Sequence, residues 1–249
     1  MIAVAPLQKE SKKPAFYVNV SVDKLSFDIS EIYARMGRLN PSYTNDFDPV
    51  INDIFTAIPD KCRIQAGYIL YPVHYEPLNG GRFYIGNVEF NTGKIITGQI
   101  KKSIRAAVFA CTIGPGMEQW VRQAAQDGDP FKSYLIDLSA SLLTEKAVDY
   151  LHNYVGKQMG QNAMKITNRY SPGYCDWPVS DQKLIFALLP ENFCGIQLND
   201  SAMMTPLKSI SGVIGIGQNV QYKDYPCERC PEAECMHRLA RSKSFLLKT

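Results

Sequence analysis

Histidine is scarce in this chain: three occur in 249 residues, at His74, His152 and His237. No Ser/His/Asp or Cys/His constellation for nucleophilic catalysis stands out among them. No apolar run approaches the length of a membrane span. Charge of one sign is not in excess either. With 27 Lys and Arg against 24 Asp and Glu, the net charge of +3 is too small to argue for nucleic acid, and no basic stripe interleaved with aromatics is present. The Lys/Arg clusters at Lys9 to Lys13 and Arg238 to Lys248 lie at the ends, where solvated tails are expected. The first residues lack the charged start, apolar stretch and small-residue cleavage site of a signal peptide. This predicts a cytoplasmic chain with reduced thiols, so its seven cysteines are expected to be free, metal-bound or redox-active.

What is present is ordinary globular material: 45% hydrophobic and 20% charged residues, enough for one large domain or two small ones. Residues 1–14 are expected to form a flexible start. Alternation predicts a strand over Phe16 to Val22, and Asp28 is placed to cap a helix to about Leu39, followed by a second helix over Pro49 to Ile58. Arg63 to Val73 is rich in β-formers, and a turn at Gly80-Gly81 precedes Phe83 to Gly86. The run Arg105 to Thr112 is almost wholly apolar and bounded by Gly114-Pro115-Gly116, which predicts a buried strand. A helix over Met117 to Ala125 follows.

Asp129-Pro130 then starts the longest element, a helix to about Lys157. On a wheel its Leu135, Ser139, Leu142, Leu143, Ala147, Tyr150 and Tyr154 share one face. Glu145 and His152 fall on the opposite face, with Asp149 at the boundary. Ser180 is placed to cap a helix over Asp181 to Leu189, and Lys208 to Ile216 reads as a strand. Helices and strands do not alternate regularly and no repeat is visible. That predicts an α+β fold with a mainly antiparallel sheet. Gly215-Ile216-Gly217 lacks the third glycine and the following helix of a dinucleotide fingerprint.

Two short runs carry the functional signal. Arg169-Tyr170-Ser171-Pro172-Gly173-Tyr174 is an arginine two residues before a Ser-Pro-Gly turn that ends in an aromatic. Proline presets one φ, glycine permits positive φ and close approach, and the ring forms a wall. Such a turn suits a small ligand with both a carboxylate and a flat ring, because arginine can fork onto the carboxylate. Downstream stands Pro206-Leu207-Lys208-Ser209-Ile210-Ser211-Gly212. At the other end of the chain, Cys227-x-x-Cys230-x4-Cys235-x-His237 has the spacing of metal-binding thiolates. Three cysteines are one ligand short of a zinc or [4Fe–4S] site, and Cys194, Cys175 or His237 are candidates for the fourth. Iron–sulfur, zinc and a metal-free tail all stay open. Cys62 and Cys111 have apolar settings that predict plain core.

The Arg-x-x-Pro-Gly-Tyr turn and the Ser-x-Ser-Gly run occur with a helix reading Glu145-x-x-x-Asp149-Tyr150-Leu151-His152. Together with Asp200-Ser201 and Met203-Met204, over roughly residues 90 to 217, they resemble the C-terminal reactivation domain of cobalamin-dependent methionine synthase. The resemblance implies that domain's fold over residues 15–220, between the flexible start and a Cys-rich tail at 221–249. It implies binding of S-adenosylmethionine, whose methyl group restores an oxidised cobalamin after one electron arrives, indirectly from a flavodoxin-like donor. Carried over, Arg169 faces the methionyl carboxylate, the backbone around Ser171, Pro172 and Gly173 reads the adenine, and Tyr174 packs on the ligand. Glu145 and His152 are then corrin- or ligand-facing, against the bland alternative of a solvated helix face. The protein needs only to bind and orient, which accounts for the missing catalytic constellation.

The chain has no Asp-x-His-x-x-Gly cobalamin motif, so the resemblance implies cobalamin on a partner, a separate methionine synthase. A redox activator of other corrinoid proteins that uses the cysteines, or a ligand-sensing module, are the alternatives. The pattern departs from the family in two places: Tyr174 is followed by Cys175-Asp176-Trp177-Pro178 where the family continues Tyr-Pro, and the family's final hairpin and helix are not recognisable after Gly217.

Overall fold

The computed structural model describes residues 13–26, 28–36, 46–77, 82–175 and 177–225. The chain folds around one antiparallel sheet. The strands among the described residues are β1 Ala15–Val18, β2 Gln65–Glu76, β3 Arg82–Ile85, β4 Val88–Phe90, β5 Arg105–Thr112, β6 Lys165–Tyr170, β7 Gln197–Leu198, β8 Met204–Thr205 and β9 Ser209–Gly217. Seven of them form the sheet in the order β4-β3-β2-β5-β9-β6, with β1 paired to the first half of β2, while β7 and β8 form a separate hairpin. The α-helices among the described residues are α1 Ile29–Arg35, α2 Asp48–Lys61, α3 Gly93–Ile100, α4 Gly116–Gln126, α5 Pro130–Gly160 and α6 Gln182–Leu188. This is the α+β, mainly antiparallel architecture that the sequence predicts.

β5 shows why the sheet lies in the middle of the molecule. Because side chains alternate along a strand, Ala107, Phe109 and Cys111 enter one core while Ala106, Val108 and Ala110 enter the other. The first core is closed by α1, α2, α4 and α5, the second by α3, α6 and the β3-β4 hairpin. A strand covered on both faces needs apolar residues throughout, as the run Arg105 to Thr112 has.

The long helix α5 begins as expected, with the Asp129 carboxylate accepting from the Lys132 amide at 2.8 Å. Asp28 caps α1 in a capping box with Glu31. Several expectations need correction. β1 stops at Val18 because its partner has run out: Val18 faces Ala66, and β2 starts at Gln65. Ser180 does not cap α6. A 3-10 turn at Val179–Asp181 leads into that helix, and the Asp181 carboxylate instead accepts from Trp177 Nε1 at 3.0 Å. The far end expected for α1, near Leu39, lies outside the described residues.

The polar face drawn for α5 is only partly solvated: Asp149 is exposed and Glu145 half-buried, but His152 is buried. Thr144, Val148 and His152 are buried together with Leu142, Leu143 and Leu151, whereas Tyr150 and Tyr154 are only half-buried. One side of the helix packs on the sheet and the other on α1, α2 and α4, so a single-stripe wheel does not describe it.

Candidate functional site

The site is built on β6, an edge strand whose sequence is mostly polar. Its pairing with β9 shifts register between Ile166 and Arg169, a bulge that leaves ladder groups without their usual partners. Side chains of the bulge supply replacements. Thr167 Oγ1 accepts from the Gly215 amide at 2.9 Å, and Asn168 Oδ1 accepts from the Arg169 amide at 2.9 Å. The bulge turns Arg169 towards α5.

There the arginine meets two carboxylates one helical turn apart. Its Nη2 donates to Glu145 Oε2 at 2.6 Å, and its Nη1 donates to Asp149 Oδ1. Arg169 is 9% exposed, and its Nε has no hydrogen-bond partner among the described residues. Burial works against its charge, but the Tyr225 phenol, Asp149 and Glu145 outweigh burial and hold the guanidinium above its ordinary pKa. With one cation against two carboxylates, this cluster carries a single net negative charge.

Beyond Arg169 the chain turns sharply. The Tyr174 amide donates to the Ser171 carbonyl at 3.1 Å, with Pro172 and Gly173 at the corner and Gly173 at φ +96°. Positive φ at this third turn position is what glycine supplies. The Gly173 amide donates back to Trp177 O at 2.9 Å, and Trp177 is buried edge-on to Phe90. Ser171 is buried, and its hydroxyl has no partner among the described residues. The Ser209-Ile210-Ser211-Gly212 run lies directly underneath. A Cβ on Gly212 would stand 2.3 Å from the Tyr170 carbonyl oxygen and 2.7 Å from Ser171 Oγ, so only a residue without a side chain lets this turn sit on β9. Ser211 Oγ is held by the Gln182 amide.

Arg169, Ser171, Pro172, Gly173, Tyr174 and Glu145 thus come together around the start of one turn and one face of α5. Asp149 joins them; its one-turn spacing from Glu145 was the available signal. His152 is on this face too, turned towards β6. It is buried, its Nε2 donates to the Thr167 carbonyl at 2.9 Å, and the Tyr222 ring covers it.

Burial pulls the His152 pKa below its ordinary 6.5, partly offset by the Thr167 carbonyl. Between pH 6.5 and the lowered folded value, the unfolded chain binds more protons than the folded one. The stability this residue contributes is therefore complete above pH 6.5 and falls as the solution is acidified. Urea titrations at pH 8 and pH 5.5 are expected to show a loss that shrinks in His152→Gln. An equal loss in both proteins would remove His152 as its source.

The remaining cysteine expectations divide. Cys111 is buried core, and Cys62 is half-buried with burial pushing its thiol up to about 12. Cys194 is buried and pushed up to about 12 for the same reason, and Cys175 is half-buried. Cys227, Cys230, Cys235 and His237 lie outside the described residues. Among the described residues, no group of three or more His, Cys, Asp or Glu is placed to hold a metal, and no helix is long and apolar enough to cross a membrane. A groove of about 510 Å³ between Tyr17, Gln65, Asn192 and Cys194 includes none of the Arg169 cluster.

Comparison with known proteins bears on this geometry. The profile of a family described as "Vitamin B12 dependent methionine synthase, activation domain" matches residues 98–241, more than half of the chain. No curated protein matches by sequence. Among solved structures, the crystal structure of the MetH reactivation domain bound to AdoHcy is similar with a TM-score of 0.60 and 14% identity, over 92% of this chain and 89% of that one.

Proposed function

Because this chain belongs to the vitamin B12 dependent methionine synthase activation-domain family, we propose that it binds S-adenosylmethionine at the Arg169 turn and presents it to cobalamin carried by a separate methionine synthase. The observation that carries this reading is a pair of buried polar atoms, Arg169 Nε and Ser171 Oγ, left without partners among the described residues. Buried polar groups are almost always hydrogen-bonded, and exceptions call for a reason. A ligand carboxylate is one such reason. The guanidinium spends one N–H of Nη1 and one of Nη2 on Asp149 and Glu145, which leaves its Nε edge to donate to a further carboxylate.

The other parts suit the same ligand. The net negative charge of the Arg169, Glu145 and Asp149 cluster favours the ligand's ammonium and sulfonium cations. Tyr174 offers a ring face for adenine, and Ser171 Oγ a polar group for its edge. The Gly173 and Tyr174 amides already donate within the turn, so the ring is read by the hydroxyl and by carbonyls of the turn. The solved domain of like fold is bound to AdoHcy. S-adenosylmethionine supplies the activated methyl group, and the cobalt of the partner's cobalamin accepts it. This chain's residues bind, orient and keep water out.

Calorimetric titration with S-adenosylmethionine tests the reading. Arg169→Ala is expected to bind about ten- to a hundredfold more weakly, as for a lost hydrogen bond to a charged group. Arg169→Lys keeps the charge beside Glu145 and Asp149 but loses the fork, so an intermediate loss is expected. Unchanged affinity in both variants, or no binding by the unmutated protein, would refute the assignment.

A further inference from the structure

After β9 the chain turns at Gln218-Asn219 and runs back beside β6 as an irregular segment, Val220 to Tyr225. Several contacts hold it there. The Tyr222 ring stands edge-on to His152 at 5.8 Å, and Asn168 Nδ2 donates to the Lys223 carbonyl at 3.1 Å. Tyr225 lies parallel to Tyr174, with ring centroids 5.1 Å apart and planes 12° apart, and edge-on to Tyr170 at 6.0 Å. The charges of Arg169 and Glu145 act on the Tyr225 phenol as well. The last ring of the segment therefore rests on the turn that the proposed ligand needs.

We infer that Val220 to Tyr225 is an intramolecular strap, with the Tyr225 ring standing where the ligand's flat ring would stack, so that strap and ligand compete for Tyr174 and Arg169. This rests on the assignment of the Arg169 turn as the S-adenosylmethionine site. A stacked pair at this separation is the geometry in which aromatic rings attract, and adenine would offer Tyr174 the same kind of face. Tyr222, Lys223 and Asp224 are exposed, while the strap is anchored at its two ends by the buried Val220 and by Tyr225. Segments whose backbone is largely open to water can detach at lower free energy than the domain unfolds. Ligand affinity is then reduced by the fraction of molecules in which the strap is closed.

The test uses the full chain and S-adenosylhomocysteine as probe, titrated by calorimetry into the unmutated protein, Tyr225→Ala and Tyr222→Ala. Removing the competing ring is expected to tighten binding about three- to tenfold in Tyr225→Ala. Tyr222→Ala, an exposed residue whose loss leaves the cores intact, is expected to tighten it by a smaller factor. Hydrogen exchange of the amides from 221 to 225 is expected to speed up when the probe is added. Weaker binding by Tyr225→Ala, or slower exchange with probe, would make the strap a part of the ligand site and overturn the competition. Equal affinity in all three proteins overturns the strap alone. No binding by any of them overturns the ligand assignment and the strap with it.

Discussion

Gly212→Ala is expected to unfold at a temperature lower by about 6–12 °C, from a loss of about 3 kcal/mol. Gly212 sits in β9 with β5 on one side, where it faces Phe109, and with β6 on the other. A new methyl group would meet the Tyr170 carbonyl oxygen at 2.3 Å and the Tyr170 carbonyl carbon at 3.1 Å. Both atoms belong to backbone, so no side-chain rotation relieves the clash, and β6 must move away from β9 at the position that carries the site. Ligand binding is expected to fall with stability for that reason. Gly98→Ala in α3 is the matched control: nothing lies within 4 Å of its Cβ position, and alanine in a helix is favoured over glycine. Thermal melts followed by circular dichroism decide the matter. Equal midpoints for Gly212→Ala and the unmutated protein would mean that the sheet accommodates the methyl group.

A second large effect is expected when both carboxylates are removed from Arg169. The double variant Glu145→Ala with Asp149→Ala leaves a guanidinium that is 10% exposed without its counter-charges. Stranding a largely buried charge in this way costs about 3 kcal/mol, the low end for buried pairs, because the Asp149 carboxylate is half exposed and its share is screened by water. Each single variant is expected to cost less, since the other carboxylate remains. Adding Arg169→Met to the double variant removes the stranded charge and is expected to recover much of the loss, since apolar replacements of buried ion clusters are often close to neutral. Urea denaturation of the unmutated protein and its four variants checks this. A double variant as stable as the unmutated protein would mean that Arg169 reaches water by another route.

Elements whose identity depends on local chemistry were legible in the chain, and those created by tertiary contact were not. The apolar run Arg105 to Thr112 reads as a buried strand and is β5, and Asp129-Pro130 reads as a helix start and begins α5. α3 was missed: Gly93 to Ile100 holds two glycines and three isoleucines, a poor helix by propensity. It forms because Ile96 and Ile100 bury fully in the second core. β6 reads as polar chain, and it is an inner-facing strand only because Glu145, Asp149, Thr167 and Asn168 satisfy its charge and bulge.

The site was legible to a similar depth. The Arg169 turn follows from Pro172, Gly173 and Tyr174, each with a fixed local role. His152 could not be placed by the wheel, which assumes one buried side, because β6 and Tyr222 cover the other. The segment over Tyr174 was invisible as well, since a stacking partner 51 positions later leaves no periodic trace.

The two-faced burial of β5 leaves a problem of alignment for the strands beside it. In a sheet with one wet face, sliding a strand by one residue exposes its apolar set and is strongly opposed. β5 is apolar on both faces, so hydrophobicity alone distinguishes one offset from the next only weakly. What distinguishes them is size. On β5 the face with Phe109 has its largest ring opposite Gly212, while the other face carries Ala106, Val108 and Ala110 opposite Gly215, Val213 and Ser211. A slip by one residue would set Phe109 against a residue with a side chain, and would move the gap that admits the Tyr170 carbonyl. The notch at Gly212 therefore keys the alignment of three neighbouring strands, and the position of the Arg169 turn is inherited from it.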